Sequence, residues 1–172
     1  DLVIKDADHC IECGLCYDVC DLDAIRKEEK ERTLEIEVAS IVIATGYSVF
    51  DARKKGGLGY LTVPDVVTSL ELERMTSASG PTGGKVARLS TGEAPASVVF
   101  IQCVGSRDKT VGNEYCSRIC CMYTAKHAKV YKEQVPDGPP YIFHTDIRSD
   151  CKGYEEFLQQ TVEEKGLLYL RG

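Results

Sequence analysis

All but one of the nine cysteines in this 172-residue chain fall into two groups whose spacing suits a metal cluster. Cys10, Cys13, Cys16 and Cys20, in "HCIECGLCYDVCD", follow C-x2-C-x2-C-x3-C. A cubane cluster needs thiolates converging from several directions, and a tight loop with Gly14 between the ligands lets neighbouring cysteines reach one cluster, so the spacing points to [4Fe–4S] ligation. A zinc site would show two separated C-x2-C pairs or added histidines. His9 reads as a solvent-facing neighbour. In two-cluster ferredoxins the fourth cysteine of such a run serves the other cluster. Here there is a single run, and Asp21 replaces the usual proline after it. Two arrangements stay open: all four thiolates close on one cluster, or Cys10, Cys13 and Cys16 need a fourth ligand while Cys20 serves a second cluster.

The second group, Cys103, Cys116, Cys120 and Cys121, is spaced C-x12-C-x3-C-C. Cys103 ends an apolar run, "ASVVFIQC", and the other three begin "CSRICCMYTAKHAKV", which reads as a helix over 116–134. In an open parallel sheet the strand end facing such a helix is where ligands gather. Unpaired helix N–H groups there favour an anion, as a thiolate-ligated cluster is. Adjacent cysteines cannot point the same way in a regular helix, so Cys120 and Cys121 require a distorted first turn to meet one cluster. Buried core thiols and a redox disulfide are the rival readings. Four cysteines around one strand end favour a cluster site that Cys103 helps to complete. A dithiol oxidoreductase using Cys120 and Cys121 ranks last, because a vicinal disulfide is strained and no C-x-x-C is present there. Cys151 is assigned no role, and His127 and His144 read as structural or solvent-facing.

The elements that must position these thiols are clearest after Pro95. Strand, helix, strand ("PPYIFHTDIR"), helix ("GYEEFLQQTVEEKG", stopped at Gly166) and strand ("LLYLRG") alternate. Such β-α-β-α-β alternation predicts an α/β unit with parallel pairing, half of a doubly wound sheet. Before it, "LEIEVASIVIATG" predicts one or two strands ending at Gly46, the second buried on both faces. Residues 47–94 are rich in Gly, Pro, Ser and Thr and read as a covering linker. Within them "TSLELERMTS" predicts a short helix with Thr68 as N-cap and Glu71 completing a capping box. The expected divisions are 1–33 (a partial ferredoxin-like cluster segment), 34–46 (a strand crossover), 47–94 (linker) and 95–172 (Rossmann-like). "KEEKERT", 27–33, reads as a charged turn.

The formal net charge of -6 argues against a nucleic-acid partner. No apolar run approaches the roughly 20 residues of a membrane span. No signal peptide opens the chain, so a disulfide framework is disfavoured and a cytoplasmic setting expected. A start without Met and an end on the apolar "LLYLRG" suggest a piece of something longer. No G-x-G-x-x-G is present, so the chain is not expected to hold FAD or NAD by itself.

"IVIATGY", "SLELERMTSASGPTGG", "VVFIQCVGSRD", "YCSRICCMYTAKHA" and "TDIRSDCKGYEEF", in that order, resemble the A subunit of heterodisulfide reductase and its relatives in sulfate reducers. The resemblance covers most of the chain from residue 34 onward. It implies a thioredoxin-reductase-like, three-layer flavoprotein carrying an inserted ferredoxin domain, in which electrons pass between [4Fe–4S] clusters and FAD. By the same resemblance Cys103, Cys116, Cys120 and Cys121 match an unusual [4Fe–4S] site near the flavin. Cys10, Cys13, Cys16 and Cys20 match one ferredoxin run, and Ala44, Thr45 and Gly46 lie in the flavin-contact segment. FAD would be bound by the full-length protein. Implied partners are other subunits of that reductase type and hydrogenase or ferredoxin-like electron donors. The family's flavin-binding glycines and its other ferredoxin run are missing here, so this chain is expected to be inactive alone. The alternative is a non-catalytic metal-binding or subunit-docking α/β module. Arg107 and Arg118 are candidates for tuning the second cluster or for ion pairs with acidic neighbours, and the ion pairs are favoured.

Overall fold

The computed structural model describes residue 6, residues 8–25 and residues 32–172. The chain divides into two compact units, Asp1–Gly46 and Tyr47–Gly172. In the first, a single helical turn, α1 (Leu15–Asp18), follows Gly14, which is left-handed at φ 83°. Most of the charged 27–33 stretch lies outside the described residues. The strands expected in 34–46 are not formed: the chain there is irregular, and Ile41, Val42 and Ile43 are more than 80% exposed. The physical reason is pairing. A strand that satisfies its backbone groups only through a neighbour's edge has no partner strand among the described residues of this unit.

The second unit is built on a three-stranded sheet in the order β1-β2-β3. The strands are β1 (Val98–Ile101), β2 (Pro140–His144) and β3 (Leu168–Arg171), all parallel. β-Branched and aromatic residues suit the pleated surface, and Pro140 stands at the first position of its strand, where a missing N–H costs least. Val99 aligns with Tyr141 and Leu168, and Ile101 with Phe143 and Leu170.

Earlier in this unit lies α2 (Ser69–Thr76), and the crossovers of the sheet are α3 (Cys120–Gln134) and α4 (Tyr154–Lys165). Ala128 of α3, Ile142 of β2 and Leu167 form one buried cluster, with Phe100, Val162 and Tyr169 packed around it. Both crossover helices therefore lie on one face of the sheet. A second cluster joins Leu72, Met75, Val86 and Tyr131, so the 47–94 segment covers α3 rather than running free. Thr68 and Glu71 make the expected capping box, a feature that contributes about 1 kcal/mol. Glu73 reaches from α2 to Lys126 and to the buried His127 on α3. The Gln134 side chain accepts from the Val86 N–H at 2.8 Å and donates to the Gly84 carbonyl at 2.9 Å, fastening the segment at the far end of α3.

The opposite face of the sheet is open. Val99, Ile101, Phe143, Leu168 and Leu170 are 40–54% exposed, although parallel sheets are ordinarily covered on both faces. The third layer implied by the resemblance is thus not formed by the described residues. The helix expected over 116–134 begins at Cys120 instead, because Arg118, at φ 61°, cannot belong to a right-handed turn. Cys116 precedes the helix on an irregular stretch.

The turn out of β1 is tightly determined. Gly105 has φ 75°, and the Phe50 ring occupies the place where a Cβ would stand. The same loop is tied to residues 51–55 through Lys55, whose Nζ lies 2.5 Å from Asp108, and Asp108 also accepts from the Thr110 N–H and hydroxyl.

Two positions in this loop can be tested. Replacing Gly105 by Ala combines a left-handed Cβ with overpacking against Phe50 and is expected to destabilise the unit by about 2–4 kcal/mol in denaturant unfolding; a change under about 0.5 kcal/mol would contradict the packing described. Lys55, with Thr110, holds the Asp108 carboxyl down to about 2, below its ordinary value of 3.8. Because the folded state lowers this pKa, its stabilisation is full above pH 4 and is lost as pH falls toward 2. The stability difference between the parent chain and Asp108→Asn should therefore be constant from neutral pH to about 4 and close below it. A difference that widens on acidification would refute the assignment.

Candidate metal centre

Because β1 and β2 run parallel, the loops that follow them leave from the same edge of the sheet, where α3 also begins. The Gln102 N–H donates to the Phe143 carbonyl at 3.0 Å, extending the ladder one residue past β1. The chain then turns sharply: Cys103 (φ 61°) and Arg107 (φ 56°) are left-handed despite having side chains. Each such residue costs on the order of 1 kcal/mol or more, and such positions cluster where the backbone is fixed for a task. Arg107 Nη1 lies 2.5 Å from Asp146 in the loop after β2, and Arg148 grips the same carboxylate at 3.1 and 3.2 Å. These two arginines, Arg148 foremost, hold the Asp146 carboxyl below the usual range. Arg118 pairs with Asp150. Both arginines singled out in the sequence are thus engaged in ion pairs.

Cys103 and Cys116 are half-buried at this edge, and Cys120 and Cys121 are buried. Two of these sulfurs accept a backbone hydrogen bond. The Arg148 N–H donates to Cys121 Sγ at 3.3 Å, and the Arg118 N–H to Cys116 Sγ at 3.3 Å. Cys103 and Ser117 near Cys120, and Thr145 near Cys103, act on those thiols in the direction that favours the thiolate. The Cys121 thiol faces Gln102 Oε1 at 3.6 Å and the Asp146 carbonyl at 3.9 Å. The Tyr169 hydroxyl is buried without a partner among the described residues, and burial, with Cys121 nearby, pushes it up to about 12.

The electrostatics follow from crowding. Burial, reinforced by Cys120, raises the Cys103 thiol. The Cys120 thiol hydrogen-bonds Cys121, which lowers Cys121 to about 7 and raises Cys120. The N–H groups directed at Cys116 and Cys121 favour thiolates there, the form in which sulfur binds iron. Among the described residues no three His, Cys, Asp or Glu side chains close to the geometry of a single metal ion. A four-iron cluster holds its thiolates farther apart than a single ion does.

In the first unit, Cys10, Cys13 and Cys16 are exposed and Cys20 is half-buried, accepting from the Ala24 N–H at 3.4 Å, a bond that lowers its pKa. Left-handed Glu12 and Gly14 flank Cys13 and curl the loop. Ala44, Thr45 and Gly46 lie on an exposed irregular stretch of the same unit. His9 pairs with Asp6 at 2.9 Å, and Cys151 is exposed. Gln102, Ser117, Thr145 and Arg148 are neighbours of the thiols that the sequence reading missed. The parallel order offered a signal, since it forces "TDIRSD" to meet "QCVGSRD" at one sheet edge.

Residues 3–26 match the family described as 4Fe-4S binding domain. Over 171 residues the chain is 49% identical to the A subunit of the ferredoxin/F(420)H(2)-dependent CoB-CoM heterodisulfide reductase of Methanosarcina acetivorans, matching 99% of this chain and 21% of that protein. It is 47% identical over 167 residues to the A subunit of the H(2):CoB-CoM heterodisulfide,ferredoxin reductase of Methanothermobacter marburgensis. It is 49% identical over 167 residues to the iron-sulfur A subunit of the CoB-CoM heterodisulfide reductase of Methanocaldococcus jannaschii. Each of these last two matches takes in 97% of this chain and 25% of the relative. The chain therefore spans about a fifth to a quarter of the length of the relatives it matches. No helix among the described residues is long and apolar enough to cross a membrane. With near-half identity sustained from the first cysteine run through the second and beyond, the chain belongs to the family of heterodisulfide reductase A subunits.

Proposed function

We propose that this chain is an electron-transfer module of a heterodisulfide-reductase-A-type flavin and iron–sulfur oxidoreductase. In this reading Cys103, Cys116, Cys120 and Cys121 ligate one [4Fe–4S] cluster, and Cys10, Cys13, Cys16 and Cys20 supply ligands of the ferredoxin-like part. The clusters supply one-electron redox chemistry when bound. What the chain contributes is position and environment: thiolates fixed by two clamped loops, N–H donors on sulfur, and burial of Cys120 and Cys121 away from water. No acid–base residue is required of it.

The observation that carries the reading is the gathering of four cysteines, two of them accepting backbone N–H bonds, at the C-terminal edge of a parallel sheet. The open apolar sheet face supports a further part. It would be covered in the longer protein, completing a three-layer, Rossmann-like (thioredoxin-reductase-like) unit over 95–172. Residues 1–33 would then be the partial ferredoxin segment, 34–46 the crossover strand and 47–94 a covering segment. FAD belongs to that longer protein, with Ala44, Thr45 and Gly46 in its contact segment, where Gly46 (φ 75°) leaves the backbone open. The module is inactive alone. Its partners are the other reductase subunits, together with hydrogenase or ferredoxin-like donors, in the cytoplasm.

The test uses the whole chain with Cys10, Cys13, Cys16 and Cys20 replaced by Ser, reconstituted anaerobically. It should retain about four iron and four sulfide per chain. Adding Cys116→Ser should remove most of that iron, whereas Cys151→Ser should leave it. Iron content unchanged by Cys116→Ser would overturn the ligand assignment, and bound zinc would favour a non-catalytic docking module.

A further inference from the structure

Gln102 stands out among the buried polar side chains. It is 7% exposed, and its Nε2 has no hydrogen-bond partner among the described residues, while its Oε1 lies 3.6 Å from Cys121 Sγ. In this arrangement the Cys121 thiol donates to the amide oxygen, and the amide's own donor is left unsatisfied in the interior, which costs about 1–3 kcal/mol. Buried N–H groups without partners are rare, and under-satisfied carbonyl oxygens are less so.

Ligation reverses the chemistry at this contact. Once Cys121 sulfur is bonded to iron it has no proton and is an acceptor only. The amide oxygen would then face sulfur lone pairs. Turning the amide end for end places Nε2–H against the sulfur and leaves the oxygen in the unpartnered position, so one rotation removes the clash with the sulfur lone pairs and exchanges a buried unpaired N–H for the less costly unpaired carbonyl. The ladder bond from the Gln102 N–H to Phe143 and the Arg148 N–H on Cys121 Sγ are unaffected. We infer that Gln102 is a positioning residue of the cluster: its side-chain amide donates a hydrogen bond to the ligated Cys121 sulfur and raises the cluster's reduction potential. The sign follows because the reduced cluster carries one more negative charge, and a donor on its sulfur stabilises that state more than the oxidised one.

This inference rests on the proposed ligation by Cys103, Cys116, Cys120 and Cys121. Its test is made in the same chain with the first four cysteines replaced by Ser, so that a single cluster is read. Three measurements are compared for the parent, Gln102→Leu and Gln102→Glu: iron and sulfide per chain, the midpoint potential from an EPR-monitored titration, and exchangeable-proton coupling to the reduced cluster by ENDOR in H2O against D2O. The expectation is unchanged iron in both variants and loss of one exchangeable coupling. The potential should fall in Gln102→Leu by about tenfold in the one-electron equilibrium, ~59 mV, and further in Gln102→Glu, which adds a negative charge. A Gln102→Leu cluster with parental iron, potential and couplings would overturn the role of Gln102 while leaving the ligand set intact. A parent that binds no cluster would overturn the ligand set and the inference with it. If Gln102→Leu does not fold, Gln102→Glu, of the same shape, decides: a potential equal to the parent's would be contradictory.

Discussion

Parallel pairing of β1 with β2 is the constraint on which the site depends. Two strands running the same way must each return through a crossover, so their outgoing loops share an edge and the first crossover helix starts beside them. Here that edge receives Cys103 from the first loop, Asp146 and Arg148 from the second, and Cys120 and Cys121 from the start of α3. The Asp146 carboxylate, gripped by Arg107 and Arg148, locks the two loops in register. With antiparallel strands the same residues would be divided between opposite ends of the sheet.

The remainder of the second unit serves this edge. The Ala128, Ile142 and Leu167 cluster seats α3 on the sheet, and the bonds from Glu73 to α3 and from Gln134 to the 84–86 segment hold the covering residues over it. The left-handed residues Cys103, Arg107 and Arg118 oppose this stabilisation, and all three lie between the end of β1 and the start of α3. Of the four left-handed non-glycine residues in this unit, only Leu61 lies outside the stretch that carries the cysteines.

Much of this was legible in the sequence. The β-α-β-α-β order, the capping box at Thr68 and the stop at Gly166 rest on local chemistry: apolar runs, a cap, a glycine. The gathering of Cys103 with Cys116, Cys120 and Cys121 was legible because their spacing places them at one strand end. What could not be read was set by tertiary contact. The start of α3 moved to Cys120 because of a left-handed Arg118, which no propensity announces. "LEIEVASIVIATG" has strand composition, yet a strand exists only with a partner edge, and the described residues of its unit offer none. Gln102, Thr145 and Arg148 are invisible as neighbours of the thiols until two loops distant in sequence are brought together.

The proposed function requires that four thiols at the edge of a parallel sheet hold a four-iron cluster. Anomalous diffraction at the iron K-edge, from crystals grown anaerobically, tests it most directly. The expected result is a compact group of iron sites enclosed by the sulfurs of Cys103, Cys116, Cys120 and Cys121. Density at that edge with no iron signal, and thiols closed into a disulfide or gathered on zinc, would contradict it.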